Sequence, residues 1–178
     1  MIKIIIYSLV GLFFVLLQTA VLPKFLPFEF KPDLLLVLVV YLGLNEKCLR
    51  GSLLAYFLGC VGDVFAGHYL GLYGLSFLVV YLVVRWAAGR LNAESSLLFF
   101  FLVFCGTFVH GGILFFSLGF FAEAGPVFPL FAKYILPQAL LNLAAALFML
   151  IVAAALLNHF SPRLDIPGMR LVSRRYEY

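Results

Sequence analysis

Apolar runs parted by short polar clusters make up nearly the whole chain: Ile4 to Leu22, Leu34 to Leu44, Gly51 to Ala66, Tyr69 to Val84, Leu97 to Ala122, and Tyr134 to Asn158. The first and the last two reach the roughly 20 residues that a helix needs to cross about 30 Å of hydrocarbon. The second begins after Pro32 and Asp33 and ends at Asn45-Glu46-Lys47. At about 1.5 Å per residue it falls short of a bilayer. It crosses only if its ends lie in thinned lipid or in a protein-lined cavity, and is otherwise re-entrant. The pattern predicts an all-α integral membrane protein, a compact bundle of about six transmembrane helices whose second helix is short or re-entrant. One polytopic transmembrane domain is expected over residues 1–160, with a basic cytoplasmic C-terminal tail over 161–178.

Composition strengthens this picture. Of the 178 residues 65% are hydrophobic and 11% charged, and the mean hydropathy is +1.14. A soluble chain of this size needs far more polar surface to cover its core. The first run follows a single Lys3, is longer than a signal-peptide core, and has in Gln18-Thr19-Ala20 a poor cleavage site, so it reads as a retained anchor. Cys48, Cys60 and Cys105 show no spacing used by metal sites and read as small packing residues.

The formal net charge of +4 comes from twelve Lys and Arg scattered between apolar segments. Scattered this way they act as topology signals and not as a nucleic-acid footprint. With six spans and an internal N-terminus, the cytoplasmic side receives Lys3, Lys47, Arg50, Arg85, Arg90, Arg163, Arg170, Arg174 and Arg175, leaving Lys24, Lys31 and Lys133 outside. If the second run does not cross, the tail still falls on the positive side. The rule therefore fixes the tail as cytoplasmic without deciding between five spans and six. Six is the expectation because Lys31 and Lys47 both have an interfacial character.

Inside the runs, polar residues are few. In GSLLAYFLGCVGDVFAG, Gly51, Ala55, Gly59 and Asp63 recur every fourth residue, a small-residue stripe along which another helix can approach closely. Asp63 ends the stripe either as an acid satisfied by nearby backbone or hydroxyl donors, or as a contact to a partner helix or bound polar group, since a bare carboxylate in hydrocarbon is costly. His110, amid GTFVHGG, is either an interhelical hydrogen-bonding residue or a proton-relay or ligand group. Gln138 and Asn142, one turn apart, and Gln18 can bridge helices through their amides. No nucleophile has a base at readable spacing, no phosphate loop occurs, and no carboxylates pair with histidine at metal-ligand spacing. The expectation is no enzyme, no cofactor and no metal. The tail, with Arg163, Arg170, Arg174 and Arg175, either lies against anionic lipid or docks a cytoplasmic partner.

Two stretches carry a family resemblance: LLQTAVLPKFLPFEFKPDLLLVLVVYLGL and GSLLAYFLGCVGDVFAGHYLGLYGLSFLVVYLVVRWAAGRL. They resemble MreD, the bacterial rod shape-determining membrane proteins, over roughly residues 15 to 91. The matching positions are Lys31, Pro32 and Asp33 before the short run, then Gly51, Gly59, Asp63 and Gly67, with Leu70 and Gly71 after them; Ala66 stands where many members have Ser. The resemblance implies a non-catalytic inner-membrane scaffold of the cell-elongation machinery. Implied partners are an MreC-like bitopic protein, a RodA-type glycosyltransferase with its transpeptidase and, indirectly, MreB filaments. Membrane lipids and a homodimer complete the partner expectations. MreD proteins are also similar in fold to the substrate-binding components of energy-coupling-factor vitamin transporters. That gives a second functional expectation, solute capture near the outer face, with Asp63, His110 and Gln138 as ligand groups. An ion or proton channel would need more ionisable groups along one path than Asp63 and His110.

Overall fold

The computed structural model describes residues 2–25, 31–66, 71–91, 95–121 and 127–160. Every element among them is helical: α1 Ile2–Leu16, a π-helical turn Leu17–Val21, α2 Leu22–Phe25, α3 Leu34–Asn45, α4 Cys48–Ala66, α5 Leu72–Ala88, α6 Ser96–Phe121 and α7 Val127–Phe160. With α1, the π turn and α2 forming one rod, the bundle has six rods. Four stretches, Lys3–Val21, Cys48–Phe65, Ser96–Ser117 and Lys133–Ala155, are long and apolar enough to cross a membrane; α3 and α5 are shorter. The sixth run starts earlier than its hydropathy indicated, because Val127–Phe160 forms one helix that takes in part of the expected connection before Lys133 and continues through Pro137.

The short second run becomes the centre of the bundle. Asp33 caps α3, its side chain accepting from the Leu36 amide, and nine of the twelve helix residues are buried: Leu34 to Val40, Leu42 and Gly43. A helix that is apolar on every side is stable only when surrounded, and α3 packs against α1, α4, α5, α6 and α7. Leu36, Val40, Phe77, Val80, Tyr81 and Val103, all fully buried, form the core around it. The start of α3 lies beside the end of the first rod, where Gln18 donates to the Pro32 carbonyl at 3.0 Å. At the other end of the bundle, the Tyr81 hydroxyl donates to the carbonyls of Glu46 and Lys47 at 3.3 and 3.1 Å. The helix thus runs from one end of the bundle to the other, and does not turn back as a re-entrant segment would.

Large apolar residues cover the outside, among them Leu9, Phe13, Leu49, Leu53, Trp86, Phe101, Phe116, Phe148 and Ile151. Apolar surface this extensive requires lipid as its solvent. At the end of α5 the Arg90 guanidinium stands 4.1 Å from the centre of the Trp86 ring, and Lys133 stands 5.3 Å from that of Tyr134, pairings suited to the membrane interface.

Candidate functional site

The stripe on α4 meets α5. A Cβ on Gly59 would lie 2.5 Å from the Gly74 Cα and 2.7 Å from its nitrogen, so the two backbones touch and Gly59 has no room for a side chain. A Cβ on Gly51 would run into the Tyr81 phenol, and Ala55 between them is fully buried. At the end of this seam stands Asp63, 2% exposed. Its Oδ2 accepts from the Gly71 amide at 2.9 Å and the Gly74 amide at 3.3 Å, and its Oδ1 from the Tyr73 amide at 2.9 Å. These are N–H groups that open α5 and have no partner within the helix. The α4 carboxylate therefore caps α5 from outside, where it also meets the positive end of the helix dipole. Gly71 enters the helix at φ 95°, a left-handed conformation that favours glycine. Gly67 and the tail residues Arg163, Arg170, Arg174 and Arg175 lie outside the described residues.

The other polar residues gather at the same end of the bundle, around the start of α3. The Asp33 backbone N–H donates to Asn142 Oδ1 at 2.7 Å. Fully buried Asn142 donates through Nδ2 to Thr107 at 2.9 Å, and the Thr107 hydroxyl donates to the Val103 carbonyl. Gln138 donates to the Lys31 carbonyl at 2.6 Å and to Asn142 Oδ1 at 3.4 Å. Gln18 reaches from the π turn to Pro32 and, at 3.4 Å, to Asp33 Oδ1. His110, 7% exposed, places Nδ1 2.8 Å from the Ser76 hydroxyl and Nε2 3.5 Å from Asp33 Oδ2, with its ring stacked on Phe77 at a centroid distance of 4.8 Å. Gln18 from the π turn, His110 from α6, and Gln138 and Asn142 from α7 thus converge on the three residues Lys31, Pro32 and Asp33, with Ser76 of α5 and Thr107 of α6 one hydrogen bond further out.

These residues wall a cavity of about 640 Å³, within the range of small-molecule sites. Gln18, Asp33, His110, Gln138 and Asn142 line it; Asp63 does not, its oxygens being turned to the α5 amides. Among the described residues no three His, Cys, Asp or Glu side chains group as metal ligands would. The three cysteines are unpaired, Cys48 exposed and the other two half-buried.

Asp33, Ser76, Thr107 and Tyr73 were not among the candidate residues. Asp33 had a signal in the sequence, because an Asp directly before an apolar run is a helix N-cap. Ser76 and Thr107 had none, since a lone hydroxyl in an apolar run gives no hint of which helix it faces.

The fold and the site define a small polytopic membrane protein whose buried polar side chains tie its helices together around a cavity. Residues 1–160 match the family model of the rod shape-determining protein MreD, and the chain belongs to that family. Neither a curated protein nor a solved structure matches it.

Proposed function

We propose that this chain is a non-catalytic scaffold subunit of the bacterial cell-elongation complex, set in the inner membrane with both termini in the cytoplasm. It engages an MreC-like bitopic protein and a RodA-type glycosyltransferase with its transpeptidase, and through them MreB filaments. The observation that carries this reading is the family match across residues 1–160, a family described by rod shape determination. The polar groups support it: Asp63, Asn142 and Thr107 each have hydrogen-bond partners within the bundle, as structural residues do. The orientation rests on the basic-residue bias of the connections. Outward faces such as Leu49, Leu53 and Phe57 on α4 give a partner's membrane helix apolar surface to pack against.

Crosslinking in the native membrane, followed by mass spectrometry of what co-purifies, tests the proposal. A bitopic coiled-coil protein recovered together with RodA-type synthases is the expected result. The cavity favours one second reading, solute capture for an energy-coupling-factor type transporter. Recovery of paired ATPases with a membrane coupling subunit would establish that reading and overturn the scaffold.

A further inference from the structure

We propose that the cavity at the start of α3 is a binding site for a primary ammonium group carried beside a phosphate, the chemistry of the phosphatidylethanolamine headgroup. The inference does not depend on which partners the chain engages. It begins with the hydrogen-bonding capacity the bundle leaves over. Gln18 Nε2 faces two acceptors, the Pro32 carbonyl and Asp33 Oδ1, and Gln138 Nε2 faces the Lys31 carbonyl and Asn142 Oδ1. Those neighbours fix the orientation of both amides. Each glutamine is therefore left with an acceptor oxygen, and neither oxygen takes a hydrogen bond from the described residues. Asp33 is the third acceptor: its Oδ1 takes the Leu36 amide, while among the described residues Oδ2 meets His110 Nε2 at 3.5 Å, beyond the usual length of a charged hydrogen bond.

His110 does little to fill that deficit. Its Nδ1 lies 2.8 Å from the Ser76 hydroxyl, and whichever ring nitrogen carries the proton, Nε2 reaches Asp33 Oδ2 only at 3.5 Å. An ammonium has three N–H donors and one positive charge, and so matches the carboxylate and the two amide oxygens. Lys31 stands on the same wall, and whatever else it meets its positive charge favours an anion nearby.

The walls add a second, independent indication. Two of the rods lining the cavity are irregular there: the π turn Leu17–Val21 presents Gln18, and Pro137, beside Gln138, interrupts the hydrogen-bond ladder of α7. Irregular backbone at membrane depth is tolerated where it is buried or lines a cavity, and π turns recur at functional sites. The volume exceeds what an ammonium and a phosphate fill, and Val15, Phe65, Leu114 and Phe115 supply apolar wall for the remainder of an amphiphile.

The test uses the full chain in nanodiscs of phosphatidylethanolamine mixed with phosphatidylglycerol, followed by native mass spectrometry of the lipid retained on release. Parallel discs replace phosphatidylethanolamine with phosphatidylcholine, whose quaternary ammonium has no N–H. Preferential retention of phosphatidylethanolamine, falling about tenfold in Asp33→Asn, is expected for the loss of one charged contact. That variant keeps the Oδ1 acceptor that caps α3, and an unchanged melting temperature separates loss of binding from loss of fold. Gln18→Leu, a second variant outside the α3 cap, is expected to weaken retention as well. Free phosphoethanolamine binding to the detergent-solubilised chain, without lipid retention, would keep the chemistry and make the source a soluble one. Equal retention of both lipids, retention unchanged in both variants, or no ligand from either source would overturn the proposal.

Discussion

Asp63 shows how a membrane bundle holds a carboxylate on backbone donors. Three backbone donors from another helix surround it, and each would be unpaired in an apolar interior without it. Asp63→Ala is expected to destabilise the bundle by on the order of 2–4 kcal/mol, since it strands the amides of Gly71, Tyr73 and Gly74. Asp63→Asn keeps an acceptor oxygen and should fall between that variant and the parent. Thermal melts of the detergent-solubilised chain, followed by size exclusion, read both; an alanine variant as stable as the parent would remove the cap from the argument. Gly59 and Gly112 make a matched pair at the same scale. A Cβ at Gly59 meets the backbone of α5, whereas one at Gly112 meets nothing within 4 Å. Gly59→Val should therefore lower the melting temperature sharply, while Gly112→Ala should leave it unchanged or raise it, alanine favouring a helix by about 0.5–1 kcal/mol. Equal effects from the two would mean that the α4–α5 seam is looser than the glycine contact requires.

Among the elements, α3 departs furthest from ordinary membrane-helix rules. Too short to cross unaided lipid, it is enclosed by five other helices, which relieve it of any need to match the hydrocarbon thickness. The hydrogen bonds at its two ends place Pro32 beside the end of the first rod and Glu46 beside Tyr81. Single cysteines introduced at Lys31 and Lys47 in a chain with Cys48, Cys60 and Cys105 replaced are accordingly expected to react with membrane-impermeant maleimide from opposite sides of the membrane. Labelling of both from one side would make the second run re-entrant. The α4–α5 pair illustrates a different economy: one stripe of small residues sets the helix distance, and the acid at its end satisfies the helix it approaches.

For the molecule as a whole, the distribution of charge bears on orientation and the distribution of polar side chains on assembly. Replacing Arg163, Arg170, Arg174 and Arg175 together by Gln is expected to reduce recovery of cytoplasmic partners or to disturb the sidedness of the C-terminus. Protease accessibility in spheroplasts and partner pull-down measure the two, and no change in either would deprive the tail of both roles. Much of the architecture was legible in the chain itself: the number of rods from the apolar runs, the spacing that lays Gly51, Ala55 and Gly59 on one helix face, and the family from the motifs between Lys31 and Gly71. These features are local or periodic, and a linear pattern records them because spacing along a helix is spacing on one of its faces. The sequence by itself determined an all-helical membrane protein with scarce interior polar groups. Only the tertiary structure decided which of those groups meet. It gave Asp63 to the α5 amides, where it ends a seam and lies apart from the cavity, and it made Asp33, outwardly a residue ending a loop, the centre around which Gln18, His110, Gln138 and Asn142 gather. The reason is physical: a hydrogen bond between helices depends on rotation, depth and the neighbour across the gap, and the Asp33–Asn142 pair is separated by 109 residues of chain.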